Sequence, residues 1–251
     1  MCDFTLKGKK AAVTGASKGI GAAIAVAFAQ NGADVLLIAR DEDHLKDVRN
    51  QVRKLGRKSE YHCIDVSNPV ESSDFDNCIR QFGGIDIYIN NAAYTMRKSI
   101  MCTAYDEMES LFQTNFFGAV AMTQVAANYM IEQQKGGVIT FITSLNALAA
   151  LPAQAMYSCT KYSLEGLVKS LAVELAPHGI RVNSIAPGAI NTNMNGCLTP
   201  EKEALYEKTI ALGRIGEPEE IAGPVVFMCS NAASYITGST LLVDGGLLLR
   251  K

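Results

Sequence analysis

Short apolar runs rich in β-branched residues alternate along the chain with longer segments of helical periodicity. The apolar runs predict buried strands, which we place at residues 11–14, 34–39, 59–64, 85–89, 138–143, 181–185 and 241–243. The helical segments predict crossovers between parallel strands, which we place at residues 19–30, 43–54, 70–81, 106–133, 157–176 and 217–230. The pattern therefore predicts an α/β fold of the Rossmann type, a doubly wound, seven-stranded parallel sheet with helices on both faces.

The chain has no internal repeat and no linker rich in Pro, Gly and Ser, so we expect a single domain over residues 1–251. Its least regular stretch is residues 189–212, where Asn, Thr, Gly and Pro punctuate short apolar pieces. We predict that this stretch forms a lid, either mobile or built as a small helical insertion.

The charge and the cysteines argue against several classes of protein. The net charge of −2 gives no broad positive field, so we expect binding neither to nucleic acid nor to an anionic membrane surface. The N-terminal residues lack the apolar segment of a signal peptide, and no later stretch reaches the roughly 18 apolar residues that span a bilayer. We therefore expect a soluble, cytoplasmic protein. The seven cysteines contain no CxxC pair and the three histidines are scattered, which predicts reduced thiols and no metal site.

A strand, a glycine-rich turn and a helix occur in that order over residues 11–30. Glycines let the backbone turn sharply and approach a pyrophosphate, whose charge is met by free amides and by the positive end of the helix. The spacing differs from the usual GxGxxG, and such turns also serve ordinary strand-to-helix connections. Placed after the first strand of a βαβ unit, the turn favours a dinucleotide. The predicted contacts are Gly15, Ser17, Lys18, Gly19, Ile20 and Gly21.

The second predicted strand ends without the acidic residue that NAD enzymes commonly use to hold the ribose 2′-hydroxyl. Arg40 follows that strand instead, and Lys18 lies in the glycine-rich turn. A guanidinium and an ammonium can both pair with a 2′-phosphate, which a carboxylate would repel. We therefore predict NADP(H) rather than NAD(H). The alternative is that both cations are solvated and that Asp41 binds the ribose.

Tyr157 and Lys161 lie four residues apart in a predicted helix, so their side chains share one face. A phenol with a pKa near ~10 is a poor acid or base at neutral pH, whereas a neighbouring ammonium and an oxidised nicotinamide stabilise its phenolate. Such a tyrosine could shuttle a proton. The pair alone is also common as exposed neighbours. Ser144, however, follows the strand at 138–143, at the sheet edge where ligands bind, and can hydrogen-bond a reacting carbonyl.

The order and spacing of these residues resemble the classical short-chain dehydrogenase/reductase family over nearly the whole chain. The motifs are Thr14-Gly15-x-x-x-Gly19-x-Gly21, Asn90-Asn91-Ala92, Ser144, Tyr157-x-x-x-Lys161 and Pro187-Gly188. The resemblance implies that Tyr157 is the general acid/base and that Ser144 orients the substrate oxygen. It further implies that Lys161 binds the nicotinamide ribose and lowers the pKa of the tyrosine. Asn115 would hold a water of the proton relay, unless it only bonds backbone locally.

The resemblance also implies further cofactor contacts. Asp65 and Val66 would contact the adenine, although Asp65 could instead be an ordinary strand-end cap. The other implied contacts are Asn91, Ala92, Tyr157, Lys161, Pro187, Gly188, Ile190 and Thr192. One position departs from the family, which usually has glycine where this chain has Ala93. Its methyl group either narrows the nicotinamide pocket or is absorbed by a backbone with negative φ, and we expect activity to be retained.

The implied reaction is hydride transfer between NADP(H) and a carbonyl or secondary alcohol. Residues 90–98, which include Arg97 and Lys98, resemble members that act on keto-sugar acids such as gluconate. Exposed cations are, however, usually solvated surface groups, and this simpler interpretation of Arg97 and Lys98 is favoured. Residues 145–152 form an apolar wall with one amide, Asn146, and Met194 and Leu198 are also apolar, which suits a bulky ketone equally well. A keto-sugar acid or another small ketone is the expected substrate, with residues 189–212 as the substrate lid. Residues 212–221 resemble 3-oxoacyl carrier-protein reductases, and hydroxysteroid dehydrogenases share the same framework, so both are alternatives.

An alternative of another class is a catalytically idle dinucleotide-binding or scaffold protein, because a fold does not guarantee chemistry. The complete set of Asn115, Ser144, Tyr157 and Lys161 argues against it. The long helices at 106–133 and 157–176 are apolar on more than one face, and residues 246–249 are also apolar. These features predict a homotetramer like those of the family, with simple core packing as the alternative.

Overall fold

The computed structural model describes residues 3–192, 194 and 199–250. Its strands are β1 (Lys10–Thr14), β2 (Asp34–Ala39), β3 (Ser59–Cys63), β4 (Ile87–Asn90), β5 (Gly137–Ile142), β6 (Ile180–Pro187) and β7 (Thr240–Val243). Its α-helices are α1 (Gly19–Gln30), α2 (Glu42–Lys54), α3 (Pro69–Phe82), α4 (Tyr105–Phe112), α5 (Ala119–Gln133), α6 (Ala155–Leu175), α7 (Pro200–Thr209) and α8 (Pro218–Cys229).

The strands form one sheet in the order β3-β2-β1-β4-β5-β6-β7, and every neighbouring pair is parallel. The strand order reverses between β1 and β4, so the crossovers leave a crevice at the carboxyl ends of these two strands. The predicted doubly wound, seven-stranded parallel sheet is confirmed.

Each face of the sheet packs against its own helices, because successive side chains of a strand point to opposite sides. On β1, Val13 packs with Phe28 of α1 and Val225 of α8, whereas Ala12 packs in the opposite cluster with Phe75 of α3. Helix α2 joins the first cluster, and α5 and α6 join the second. These buried strands carry few polar residues, which explains why their apolar runs could be recognised in the sequence.

The predicted helix over residues 106–133 is interrupted. A π-helical turn, Gln113–Gly118, separates α4 from α5. Gly118 at its end lies so close to the backbone that a Cβ atom there would overlap the carbonyl oxygen of Val66. The turn therefore brings this helical segment against the loop that follows β3. Turns of this kind are frequent at functional sites.

The irregular stretch at 189–212 contains α7, and its role as a lid stays a prediction. Residues 193 and 195–198 of the predicted lid lie outside the described residues, and the mobility of the lid stays a prediction. Within the described ranges, no helix is long and apolar enough to cross a membrane.

Candidate active site

Two adjoining cavities open at the carboxyl ends of β1, β4, β5 and β6. The inner cavity, about 350 Å³, is lined by Ser144, Tyr157 and Lys161. The outer cavity, about 410 Å³, is lined by the glycine-rich turn and by the ends of β2 and β3. Five residues line both cavities and make them one continuous groove: Ile20, Asn91, Ala93, Thr192 and Met194.

The glycine-rich turn is held against the end of β4 by hydrogen bonds. The backbone amides of Asn91 and Ala92 donate to Thr14 Oγ1 over 2.9 and 3.1 Å. Asn91 Nδ2 donates to the carbonyl oxygens of Thr14 and Gly15 over 2.9 and 3.2 Å. A Cβ atom on Gly21 would overlap the Gly15 carbonyl oxygen, so the turn needs glycine at position 21. This packing leaves the backbone of the turn accessible, as a pyrophosphate-binding turn requires.

The far end of the outer cavity carries charges of both signs. Lys18, Arg40, Asp41 and Asp65 all line it. Arg40 Nη1 donates to Asp65 Oδ2 over 3.3 Å. Burial acts to raise the pKa of Asp65, but hydrogen bonds from Ser67 and the nearby Arg40 hold it below its usual value. Asp65, which is predicted to contact the adenine, therefore pairs here with Arg40, which is predicted to contact the 2′-phosphate.

Asp41 is engaged by its own helix. Its side chain caps the N-terminus of α2 by accepting from the His44 backbone amide over 3.3 Å, and Asp41 Oδ2 lies 2.8 Å from His44 Nδ1. The hydrogen bonds from His44 lower the pKa of Asp41. A carboxylate that already caps a helix is less available to bind a ribose. This arrangement therefore argues against the alternative in which Asp41 binds the cofactor ribose.

The predicted catalytic side chains Ser144, Tyr157 and Lys161 converge on the inner cavity. Tyr157 and Lys161 project from the same face of α6, and Lys161 Nζ lies 5.8 Å from the centre of the Tyr157 ring. Lys161 Nζ donates to the Ile142 carbonyl oxygen at the end of β5 over 3.0 Å. Tyr157 is 8% exposed and Lys161 is 3% exposed. Water is therefore largely excluded from both ionisable groups.

Burial sets the direction of both pKa shifts. It raises the pKa of Tyr157 to about 12, while the hydrogen-bonding hydroxyl of Ser144 acts in the opposite direction. It lowers the pKa of Lys161 to about 8, and the negative charge of Glu165 opposes this shift. The net direction for Tyr157 is upward, whereas the family resemblance implies that the lysine lowers it. The difference arises because the desolvation of the phenolate outweighs the nearby favourable groups.

Asn115, the fourth predicted catalytic residue, is held by hydrogen bonds to two neighbouring segments. It is 1% exposed, lies in the π-helical turn, and lines neither cavity. Its Oδ1 accepts from the Tyr94 amide over 3.0 Å, and its Nδ2 donates to the Tyr94 carbonyl oxygen and to Thr160 Oγ1 over 2.9 and 3.3 Å. The Asn115 side chain thus connects the loop after β4 to Thr160 of α6, which lies between Tyr157 and Lys161 in the sequence.

The remaining predicted contacts lie along the groove. Ser17, Gly19 and Val66 line the outer cavity, together with Ala92. Pro187, Gly188 and Ile190 line the inner cavity. Gly188 packs against Asp244, where a Cβ atom would come within 2.6 Å of the Asp244 side chain. Apart from Asn115, the structure therefore brings the predicted site residues to one groove.

Known proteins resemble this chain in both sequence and fold. A family model described as enoyl-(acyl carrier protein) reductase matches residues 15–248. The crystal structure of a short-chain type dehydrogenase/reductase from Mycobacterium marinum matches with a TM-score of 0.92 and 38% identity, over 97% of each chain. The chain belongs to the short-chain dehydrogenase/reductase family. The resemblance predicted from the motifs is thus confirmed. Members of this family are oxidoreductases.

Two curated members of the family differ in the substrates that their names give. L-rhamnose 1-dehydrogenase (NAD(P)(+)) from Sphingomonas sp. strain SKA58 is 38% identical over 246 residues, which cover 96% of this chain and 97% of that protein. A 3-oxoacyl-(acyl-carrier-protein) reductase from Aquifex aeolicus is 37% identical over 249 residues, which cover 98% and 99%. Membership of the family therefore does not determine the substrate, which depends on the residues that line the inner cavity.

Ala93, which departs from the usual family glycine, lines both cavities. Among the described residues other than glycine, positive φ occurs only at Gln134 and Ala153. Ala93 therefore adopts a backbone conformation that alanine tolerates without strain. Its methyl group forms part of the groove wall where the two cavities meet.

The inner cavity has lining residues beyond the predicted catalytic and cofactor contacts, and of these the sequence indicated Asn146 but not Gln154. Asn146 donates through Nδ2 to Gln154 Oε1 over 2.7 Å, and both amides line the cavity. Gln154 immediately precedes α6, which is the signal that could have been noticed. Helix α7 and the C-terminal segment contribute lining residues that no local pattern marks: Leu205, Tyr206, Thr209 and Leu247.

Proposed function

We propose that this protein is an NADP(H)-dependent oxidoreductase that transfers a hydride between the nicotinamide and a carbonyl or secondary alcohol. The observation that supports this most is the convergence of Ser144, Tyr157 and Lys161 on a cavity continuous with the glycine-rich turn. A merely scaffolding protein has no need of a buried phenol and a buried ammonium, because burial is unfavourable for the charged form of each group.

The groove fits a nicotinamide dinucleotide in shape and charge. Gly21 packs closely against the Gly15 carbonyl oxygen, so main-chain groups line the place where a pyrophosphate would bind. Lys18 and Arg40 lie at the end where the adenosine would bind. Asp65 and Val66 line that end of the outer cavity, and Pro187, Gly188, Ile190 and Thr192 line the end near Tyr157. The bound nicotinamide supplies or accepts the hydride.

The chain itself supplies the proton and the orientation. Since the pKa of Tyr157 is raised to about 12, its phenol is protonated at neutral pH and can donate a proton to the oxygen of a carbonyl substrate. The Ser144 hydroxyl donates a hydrogen bond to the same oxygen. The Lys161 ammonium stabilises the phenolate that remains. The burial of both side chains strengthens these interactions, because solvent screens buried groups less than exposed ones.

NADP(H) is proposed over NAD(H) because of Arg40 and Lys18. Replacing Arg40 by alanine is expected to raise the Kd for NADPH about 10- to 100-fold, the loss of one charge-assisted contact, with little change for NADH. Fluorescence titration with each cofactor measures this. Lys46→Ala is the matched control, because Lys46 pairs with Glu42 on the surface of α2. Equal weakening of both cofactors by Arg40→Ala would contradict the assignment.

A keto-sugar acid or another small ketone is the proposed substrate. Arg97 lines the inner cavity. Lys98 lines neither cavity and pairs with Glu107, with 2.6 Å between Nζ and Oε2. Asn146 and Gln154 add amides that can hydrogen-bond hydroxyl groups. The cation supports a carboxylate on the substrate, and the amides support a polyhydroxylated one.

The charge at Arg97 can be tested directly. Arg97→Gln is expected to raise the KM for 5-ketogluconate about 3- to 10-fold and to leave the KM for diacetyl unchanged, because only the first substrate carries a carboxylate. Steady-state oxidation of NADPH with both ketones measures the two constants. An acetoacetyl thioester and a ketosteroid complete the panel. A clear preference of the wild-type protein for either of these would favour the 3-oxoacyl-carrier-protein or hydroxysteroid alternative instead.

A further inference from the structure

Helix α6 carries a buried carboxylate that the proposed mechanism does not use. Glu165 is 6% exposed and lies one turn beyond Lys161, which itself lies one turn beyond Tyr157. Ser184 Oγ of β6 lies 3.0 and 2.9 Å from its two carboxylate oxygens, and Thr240 Oγ1 of β7 donates to Oε2 over 2.5 Å. A carboxylate is unfavourable in such a place unless an opposite charge compensates it.

No ion pair within 4.0 Å involves Glu165 among the residues that the structure describes. Lys161 is the cation one turn before Glu165 on α6. Burial lowers the pKa of Lys161, and the negative charge of Glu165 opposes part of that shift. The hydrogen bonds from β6 and β7 fix the carboxylate one helical turn from Lys161. Opposite charges on adjacent turns of a helix attract each other, and they do so more when both side chains are buried, as these are.

Among the described residues, the other groups that the packed elements present around Tyr157, Thr160 and Lys161 are uncharged. Strand β5 offers the Ile142 carbonyl oxygen, the following residue pair offers the Ser144 hydroxyl, and the π-helical turn offers the Asn115 amide, which bonds Thr160. Tyr157 is the remaining ionisable neighbour on α6. Within the described part of the chain, Glu165 is therefore the carboxylate placed to compensate the ammonium.

We propose that Glu165 is a positioning residue, which holds Lys161 in its charged form and directed along α6 toward the inner cavity. Tyr157, Lys161 and Glu165 then form one line of interacting groups at successive turns of the helix. The catalytic consequence rests on the proposed function, since it requires that Lys161 stabilises a Tyr157 phenolate. The electrostatic part concerns the folded protein alone and can be measured without turnover.

Glu165→Gln removes the charge and keeps the shape and most hydrogen bonds. Without the carboxylate, Lys161 loses its proton at lower pH, so the alkaline limb of kcat/KM is expected to move down by about one pH unit. Glu165→Asp is expected to restore part of this shift. Glu174→Gln, an exposed carboxylate on the same helix, is the matched control and is expected to change nothing. Thr240→Val removes one hydrogen bond but no charge, so it is expected to lower stability and to move the limb less than Glu165→Gln does.

A double-mutant cycle supplies the readout that is independent of activity. Glu165→Gln, Lys161→Met and the double variant are unfolded in denaturant near neutral pH and again near pH 10. We expect Glu165→Gln to shift the unfolding equilibrium about fivefold more when Lys161 is present than when it is methionine, and this difference to shrink at the higher pH. Additive effects at neutral pH, or an unmoved alkaline limb, overturn the proposal. Coupling without turnover on any ketone would support the electrostatic role while refuting the proposed function.

Discussion

Replacing Tyr157 by phenylalanine is expected to lower kcat about 10³-fold, because the variant loses the proton donor of the reaction. The ring itself stays in its buried place, so the fold and the groove are kept. The Kd for NADPH is therefore expected to change less than about twofold, since no charged contact is lost. Steady-state kinetics with the best ketone, together with fluorescence titration of NADPH, separates the two effects.

Tyr162→Phe is the matched control for this experiment. Tyr162 lies on the same helix, is about half exposed and lines neither cavity. It is expected to keep full activity. A Tyr157→Phe variant that retained more than about a tenth of the wild-type kcat would remove Tyr157 from its role as general acid. Loss of cofactor binding along with turnover would point to misfolding instead, which far-ultraviolet circular dichroism detects.

Replacing Lys161 by methionine is expected to abolish most of the activity and to stabilise the fold. Burial lowers the pKa of Lys161 from 10.5 to about 8, so carrying its charge in the folded state costs about 3 kcal/mol at neutral pH. Loss of the hydrogen bond to the Ile142 carbonyl oxygen offsets about 1 kcal/mol of the gain. A net gain of about 2 kcal/mol raises the Tm by about 4–8 °C in a chain of this length.

The pH dependence of this gain follows from the direction of the pKa shift. Below about pH 8 the wild-type lysine is charged in both the folded and the unfolded state, so the full cost is present. Between about pH 8 and 10.5 only the unfolded state keeps the proton, and the wild type regains stability as the pH rises. The advantage of Lys161→Met is thus expected to fade over this window. Lys169→Met, on the exposed side of α6, is the control, and a wild-type Tm that matches or exceeds that of Lys161→Met at neutral pH would contradict the account.

The fold was predictable because its signals are local. Parallel strands covered on both faces require nearly continuous apolar runs, such as the one that forms β2, and these stand out in the sequence. The same holds for the part of the site built by one element. Tyr157 and Lys161 share a face because helical geometry fixes the spacing of residues four apart. The glycine-rich turn follows β1 directly and is likewise recognisable.

The contacts between distant segments could not be read in this way. The amide of Asn115 is taken up by Tyr94 and Thr160, which lie 21 and 45 residues away. The π-helical turn that carries Asn115 has no marked signature in the sequence. Helix α7 reaches the inner cavity from residues 200–209, and Glu165 depends on strands β6 and β7 for its partners. Each of these features exists only once the chain has folded.

The most direct test of the proposed chemistry is to titrate NADPH and NADH separately into the purified protein and then to follow the absorbance of the reduced nicotinamide with the ketone panel. The account predicts tighter binding of NADPH and turnover that depends on it, with 5-ketogluconate or another small ketone as the responding substrate. Tighter binding of NADH would contradict the roles of Arg40 and Lys18. Binding of either cofactor without turnover on any ketone would contradict the proposed reaction.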